Sequence, residues 1–338
     1  MNFDDALKLY DLDLIDLGKM ANEIRVKLHG NKVFYNRNRH INPTNICSDH
    51  CKFCGFSAHR KNPNPYTISI DEAVKTAKDA WDRGAKEVHI VSAHNKEVGL
   101  DWYFDLFSAV KAAVPEIHLK AMTAAEVDFL SRTYALSFDE VLDKMIASGV
   151  DSMPGGGAEI FDEDLRAKIC NGKVKSIDWL KIHELWHKRG KKSNASMLFG
   201  HIENRSHRID HLLRLQELQS RTQGFNAFIP LLFQTKNNFL EISNSIDAEE
   251  ILKTIAVSRI ILDNIPHIKA YWVGLTAKLA LVAQEFGAND LDGTIEKESI
   301  NSAAGAKSAQ GIEQKLLIDL IKNAGFTPVE RDSMYKEL

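Results

Sequence analysis

The chain has 338 residues, 44% hydrophobic and 26% charged, which supplies a large core and excludes disorder for most of its length. Its 43 Lys and Arg are dispersed among 46 Asp and Glu, for a formal net charge of −3, so the clustered positive charge that a nucleic-acid partner demands is missing. No apolar run approaches the roughly 20 residues of a membrane helix, and the opening MNFDDALKLYDLDLIDLGK is too acidic for a signal or transit peptide, so a cytosolic protein without nucleic-acid or membrane partners is expected.

Taken in chain order, residues 1–32 read as a helical leader. From residue 70 onward one unit recurs, in which an amphipathic helix stops at a glycine (Gly84, Gly149, Gly190, Gly224) and a short β-branched or apolar run follows. Each glycine suits a left-handed helix stop, and each following run suits a buried strand. Ser69 with Glu72, and Ser137 with Glu140, read as capping boxes. The second opens a helix whose Val141, Leu142, Met145 and Ile146 form a core-facing stripe. Strands are expected near 40–46, 87–92, 117–123, 150–154, 192–199, 225–230, 267–273 and 288–295. Eight strands separated mostly by helices predict an α/β fold, a (β/α)8 TIM-like barrel over residues 33–296. After it, SAAGAKSAQG and a helix at 312–324 make a helical extension, 297–338, packed on the barrel.

Three of the four cysteines, Cys47, Cys51 and Cys54, fall within NPTNICSDHCKFCGF, directly after the first expected strand. The loop after a barrel strand faces the end where barrel chemistry gathers. Too few cysteines are present for a disulfide framework, and intervals of four and three call for a metal. Three thiolates can hold three irons of a [4Fe-4S] cube and leave the fourth open for chemistry. The competing reading is a structural zinc site completed by His50, although zinc ligands usually come as two separated pairs. Cys170 stands apart and reads as an inert helix residue.

The CxxxCxxC spacing, with Phe53 between the second and third cysteines, resembles the radical S-adenosylmethionine (SAM) superfamily. HIVSAHN (89–95), KAMTAAEVDFL (120–130), MPGGGAEIFDEDLRAKIC (153–170), SMLFGHIENRSHRIDHL (196–212), FNAFIPLLFQ (225–234) and GANDLDGTI (287–295) are similar to its menaquinone and deazaflavin branch, from about residue 30 to the last helix. GGGAE fits the two menaquinone families better than the deazaflavin one, and VSAHN and KSNASMLFGHIE most resemble the aminofutalosine synthase family. The runner-up is the cyclic dehypoxanthinylfutalosine synthase family; an iron-sulfur electron-transfer protein is more remote.

The resemblance implies a radical SAM barrel that holds a [4Fe-4S] cluster on Cys47, Cys51 and Cys54 and consumes SAM. Cofactor contacts would come from Phe53, Ser92, Asn95, Glu126, Gly155, Gly156, Glu159, Arg166 and Met197. Among these, the glycines would let backbone approach a nucleoside, Glu159 would hold the ribose diol, and Arg166 would pair with the methionyl carboxylate. Glu126 has a second reading as a helix-start acid. Ser92, Ala93, His94 and Asn95 stand where many members of the superfamily carry a Gly-Gly-Glu type motif for the SAM amino group. Substrate contacts would come from His94, Asn194, His201, Arg205, Phe228 and Trp272, with Phe233 as a further wall. The implied reaction adds the 5′-deoxyadenosyl group of SAM to 3-[(1-carboxyvinyl)oxy]benzoate and yields 6-amino-6-deoxyfutalosine. An electron donor such as flavodoxin or ferredoxin is the implied partner.

Overall fold

The computed structural model describes residues 1–59 and 62–338, and ten strands organise these described residues. They are β1 (Lys32–Asn36), β2 (Asn38–Ile41), β3 (Glu87–Ile90), β4 (His118–Ala121), β5 (Ser152–Met153), β6 (Lys192–Phe199), β7 (Phe225–Leu232), β8 (His267–Ile268), β9 (Asp290–Gly293) and β10 (Thr327–Glu330). Strands β2 to β8 form one seven-stranded parallel sheet in sequence order, and every connection within it contains at least one helix. That is the α/β architecture expected of an alternating chain.

The eighth expected strand does not extend this ladder. β9 pairs with β1, which also pairs with β10, in a separate three-stranded parallel sheet. Two single parallel bridges, Lys269 with Asp290 and Arg39 with Glu296, tie β9 and the residue run after it to the two ends of the seven-stranded sheet. The eighth strand therefore spans the gap between the ends without a continuous ladder. A physical reason lies in Asp292, whose φ of +74° breaks extended geometry in the middle of β9. The extension, expected to be helical, thus contributes a strand, and β1 begins at the last residue of the expected leader and runs into the expected barrel where no strand was expected. The helices of leader and extension, Leu14–His29 and Gln314–Asn323, lie where helical pattern was read.

Local signals explain most element ends. Both capping boxes form, at Ser69–Glu72 and Ser137–Glu140. Gly84, Gly149 and Gly190 take φ of +92°, +89° and +74° after their helices. Gly224 departs from that pattern, because Gln223 supplies the left-handed stop at φ +49°. Glycine is required at 224 for another reason: a Cβ there would overlap the ring of His187. Val141, Leu142 and Met145 are wholly buried, as their stripe demanded.

Strand alternation decides what faces the barrel interior. On β6, Asn194, Ser196 and Leu198 line the central cavity. Ala195, Met197 and Phe199 are fully buried on the other face, where helices Ser176–Lys188 and Arg205–Thr222 pack. On β7, Ile229 and Leu231 face the cavity and Phe228 does not.

Candidate active site

The cysteine segment leaves β2 without regular structure, so neighbouring elements must hold it. Ser48 N donates to His94 O (2.9 Å), Lys52 N to Ile169 O (2.7 Å), Phe239 N to Lys52 O (2.6 Å) and Ala58 N to Asn45 O (2.8 Å). The first three come from the loop after β3, the helix Glu163–Ile169 and the loop after β7, which pins the segment over the barrel mouth, and the fourth closes the segment on itself. Cys47, Cys51 and Cys54, each partly exposed, line a single cavity of about 310 Å³.

The surroundings of the sulfurs suit metal ligation. Burial raises the Cys47 thiol, opposed by backbone N–H groups of His94 and Asp49. Burial raises Cys51 further, opposed by the Lys173 ammonium. Thiols held neutral in this way exchange a proton for a metal, and the same N–H groups and ammonium then stabilise thiolate charge. Ser57 N donates to Cys54 Sγ at 3.4 Å.

Around the sulfurs the cavity carries two acid–base pairs. Glu159 Oε1 accepts from Lys173 Nζ at 2.5 Å, and Lys173 lies 5.5 Å from the centre of the Phe53 ring. Burial opposes the charge on Lys173, yet Glu159 and then the Cys51 and Cys170 sulfurs hold its pKa well above the ordinary lysine value. Glu159 has φ of +47°, a conformation rare for side chains other than Gly, Asn and Asp. The second pair is His94 Nδ1 with Asp49 Oδ2, 2.8 Å apart, with the imidazole stacked on Phe129 at 4.8 Å. Burial works against the Asp49 carboxylate, but His94 wins and holds its pKa below the usual value.

Cys47, Cys51, Cys54, Phe53, Ser92, His94, Gly155, Gly156, Glu159, Asn194 and Phe233 are therefore gathered on one cavity. Gly155 and Gly156 present backbone to it, but the missing side chains serve the fold. A Cβ on Gly155 would come within 2.7 Å of the Ala195 carbonyl carbon, and one on Gly156 within 2.9 Å of Thr123 Cγ2.

Other expected contacts are engaged elsewhere. Glu126 is a capping carboxylate: Oε2 accepts from Thr123 N (2.7 Å) and Oγ1 (2.8 Å), and Oε1 accepts from Ser92 N (2.9 Å). Asn95 staples loops, donating to Thr44 Oγ1 and Thr67 Oγ1 at 3.2 and 3.3 Å. Arg166 donates to the carbonyls of Ala158 (2.5 Å), Ile160 (3.0 Å), Gly157 (3.1 Å) and Val174, so its fork organises the loop that carries Glu159. Met197 and Phe228 face the outer helices by strand parity. His201 is enclosed between Glu203 Oε2 (3.2 Å) and Leu198 O (3.1 Å). Arg205 points away, pairing with Glu250 at 2.6 Å and covering the Tyr10 ring. Trp272 is buried and spends its Nε1 on Gly293 O at 2.8 Å. Sequence reasoning missed Asp49, Lys173 and further charged or imidazole residues that line the cavity, namely His40, His89, Lys120, Lys269, Asp292 and Glu298.

Comparison with known proteins now adds a decisive observation. Residues 41–215 match the model of the radical SAM superfamily, and residues 222–338 that of the CofH/MqnC C-terminal region. The chain belongs to the radical SAM superfamily. This radical SAM chain is 40% identical to the aminodeoxyfutalosine synthase of Thermus thermophilus, over 100% of its own length and 92% of the relative. The enzyme of that name from Streptomyces coelicolor is 39% identical, over 99% and 90%. An Archaeoglobus fulgidus protein, 5-amino-6-(D-ribitylamino)uracil–L-tyrosine 4-hydroxyphenyl transferase, is 37% identical over 95% and 93%. Among solved structures, methylornithine synthase has the same fold at a TM-score of 0.75 and 17% identity, over 97% of this chain and 94% of that one. Membership of the superfamily implies an iron-sulfur cluster and SAM, and no helix among the described residues is long and apolar enough to cross a membrane.

Proposed function

We propose that this radical SAM enzyme makes 6-amino-6-deoxyfutalosine from SAM and 3-[(1-carboxyvinyl)oxy]benzoate, with Cys47, Cys51 and Cys54 each binding one iron of a [4Fe-4S] cluster. The observation that carries the reading is full-length similarity to two aminodeoxyfutalosine synthases, supported by three cysteines on one cavity. Among the described residues no three His, Cys, Asp or Glu side chains converge as around a single ion, and a cube needs no such convergence, since each thiolate takes a different iron. When bound and reduced, by a donor such as flavodoxin or ferredoxin, the cluster supplies one electron that splits SAM into methionine and a 5′-deoxyadenosyl radical.

Carbon 5′ then bonds to the methylene of the enolpyruvyl double bond. The aryl group moves from oxygen to the adjacent carbon, the enolpyruvyl carboxylate leaves as carbon dioxide, and its electron is returned. The chain's part is to hold these groups in a dry space. Leu198, Ile229, Leu231 and Phe233 give the cavity apolar walls that keep water from a radical. Glu159 spends Oε1 on Lys173 and keeps Oε2 for a ribose hydroxyl. Glu159→Gln is therefore expected to weaken SAM binding by about 1–3 kcal/mol, the cost of unpairing a buried polar partner, with iron content unchanged. Equilibrium dialysis with labelled SAM checks this, and unaltered affinity would return Glu159 to a structural role.

The reaction itself is tested by the fate of the adenosyl group. With SAM labelled in its adenosine portion, the label is expected in a carboxyphenyl nucleoside with intact adenine. Label released almost wholly as 5′-deoxyadenosine, with dehypoxanthinyl futalosine consumed, would assign the cyclic synthase reaction instead.

A further inference from the structure

Below the cysteines, the barrel interior departs from the branched apolar layers usual in such folds. In the sheet register, His40 on β2 lies opposite His89 on β3, and His89 lies opposite Lys120 on β4. The three side chains therefore form a row on one face, and all line the cavity. Lys269, just after β8, lines the same space. The two imidazole rings are 4.7 Å apart, centre to centre.

This floor sets donors beside carboxylates, since Asp292 and Glu298 line the same cavity as Lys120 and Lys269. Lys120 Nζ has one hydrogen bond, to Glu87 Oε2 at 2.6 Å, and Lys269 Nζ one, to Asp292 Oδ1. An ammonium carries three N–H groups, so each lysine keeps two in hand. The Nε2 atoms of His40 and His89 are buried with no hydrogen-bond partner among the described residues. Burial lowers both imidazole pKa values, that of His89 to about 3, and a neutral imidazole carries one N–H donor and one acceptor nitrogen. Because each lysine charge is balanced by its carboxylate, the floor needs a ligand that offers acceptors. A carboxylate does so, with two oxygens and about four lone-pair sites.

We propose that His40, His89, Lys120 and Lys269 form an anion subsite that receives the ring carboxylate of an aryl carboxylate substrate. The assignment rests on the reaction proposed above, and it orients the substrate. The enolpyruvyl end must meet carbon 5′ beside the cysteines at the barrel mouth, so the opposite end of the molecule, the ring carboxylate, points down the strands to the floor. A 4-hydroxyphenyl group would bring one neutral hydroxyl and leave most of these donors unmet. The floor therefore selects the 3-carboxyphenyl ring.

The test uses the full chain with its cluster and SAM, and calorimetric titration with 3-ethoxybenzoate, which keeps the ring carboxylate and lacks the reacting double bond. It is expected to bind roughly 100-fold more tightly than ethoxybenzene or 4-ethylphenol, as sites built around a polar group discriminate against analogues lacking it. His89→Phe, and the charge-balanced double variant Glu87→Gln with Lys120→Met, are each expected to lose most of that preference. Should the double variant fail to fold, His40→Phe and His89→Phe, which alter no charge, decide. Equal binding of the three probes by the wild-type chain, or a preference intact in the folded variants, overturns the subsite. Failure to convert 3-[(1-carboxyvinyl)oxy]benzoate with the carboxylate preference intact would instead overturn the reaction and leave the subsite standing.

Discussion

Alanine at Cys47, Cys51 or Cys54 is expected to abolish SAM cleavage, whereas alanine at Cys170 is expected to preserve it. The three line the cavity at its mouth, and removing one leaves an iron without its thiolate. Cys170 ends the helix Glu163–Ile169, is 2% exposed, and has its thiol pushed up to about 11 by burial, only partly offset by Arg166. Its replacement removes one buried sulfur, which costs stability of the order of 1 kcal/mol and no ligand. Iron content, the visible spectrum and 5′-deoxyadenosyl transfer in the four variants separate these roles. Cleavage that persists in any of the first three, or that vanishes in a folded Cys170→Ala, contradicts the assignment. Full activity in zinc-loaded protein free of iron would remove the cluster from the mechanism altogether.

The cysteine segment was legible because its chemistry depends on close sequence spacing, which no fold can disguise. Capping boxes at Ser69 and Ser137 were legible for the same reason: each bond closes within four residues. Thr123–Glu126 is a third such box, readable from TAAE, and reading it would have removed Glu126 from the cofactor contacts. Parity on β6 was legible too. Asn194 and Met197 differ by an odd number of positions, so both cannot face one cavity, and the polar alternation of Asn194 and Ser196 marks the inward face. Other features depend on contacts distant in sequence. Lys120 and Lys269 are buried with Glu87 and Asp292 meeting them from neighbouring strands, and a lysine in a strand pattern otherwise reads as an exposed one. Lys173 finds Glu159 across a helix, and Arg205 finds Glu250 forty-five residues away. β1 and β10 pair across nearly the whole chain, although each follows a helix and a positive-φ glycine, Gly30 and Gly325, in the rhythm that revealed the others.

Replacing Arg166 with Met is expected to destabilise the protein by roughly 3–5 kcal/mol, because four buried carbonyls lose a charged donor at once and neighbouring groups relax only partly. The acceptors are Gly157, Ala158, Ile160 and Val174, on both sides of the helix that carries Arg166. Three of them flank Glu159, whose backbone carbonyl in turn accepts from Leu198 N at 2.7 Å. The guanidinium thus fixes a loop whose central carboxylate sits at φ +47°, a conformation that persists only when its surroundings over-determine it. Lysine at 166 is expected to recover little of the loss, since a single ammonium cannot reach acceptors spread around a planar fork. Urea unfolding measures the stability term, and SAM titration of the folded fraction measures the site. A loop held by Arg166 makes the two fall together. An Arg166 that instead paired directly with the SAM carboxylate would leave unfolding unchanged and lower SAM affinity alone, and that outcome would displace the role argued from its four backbone partners.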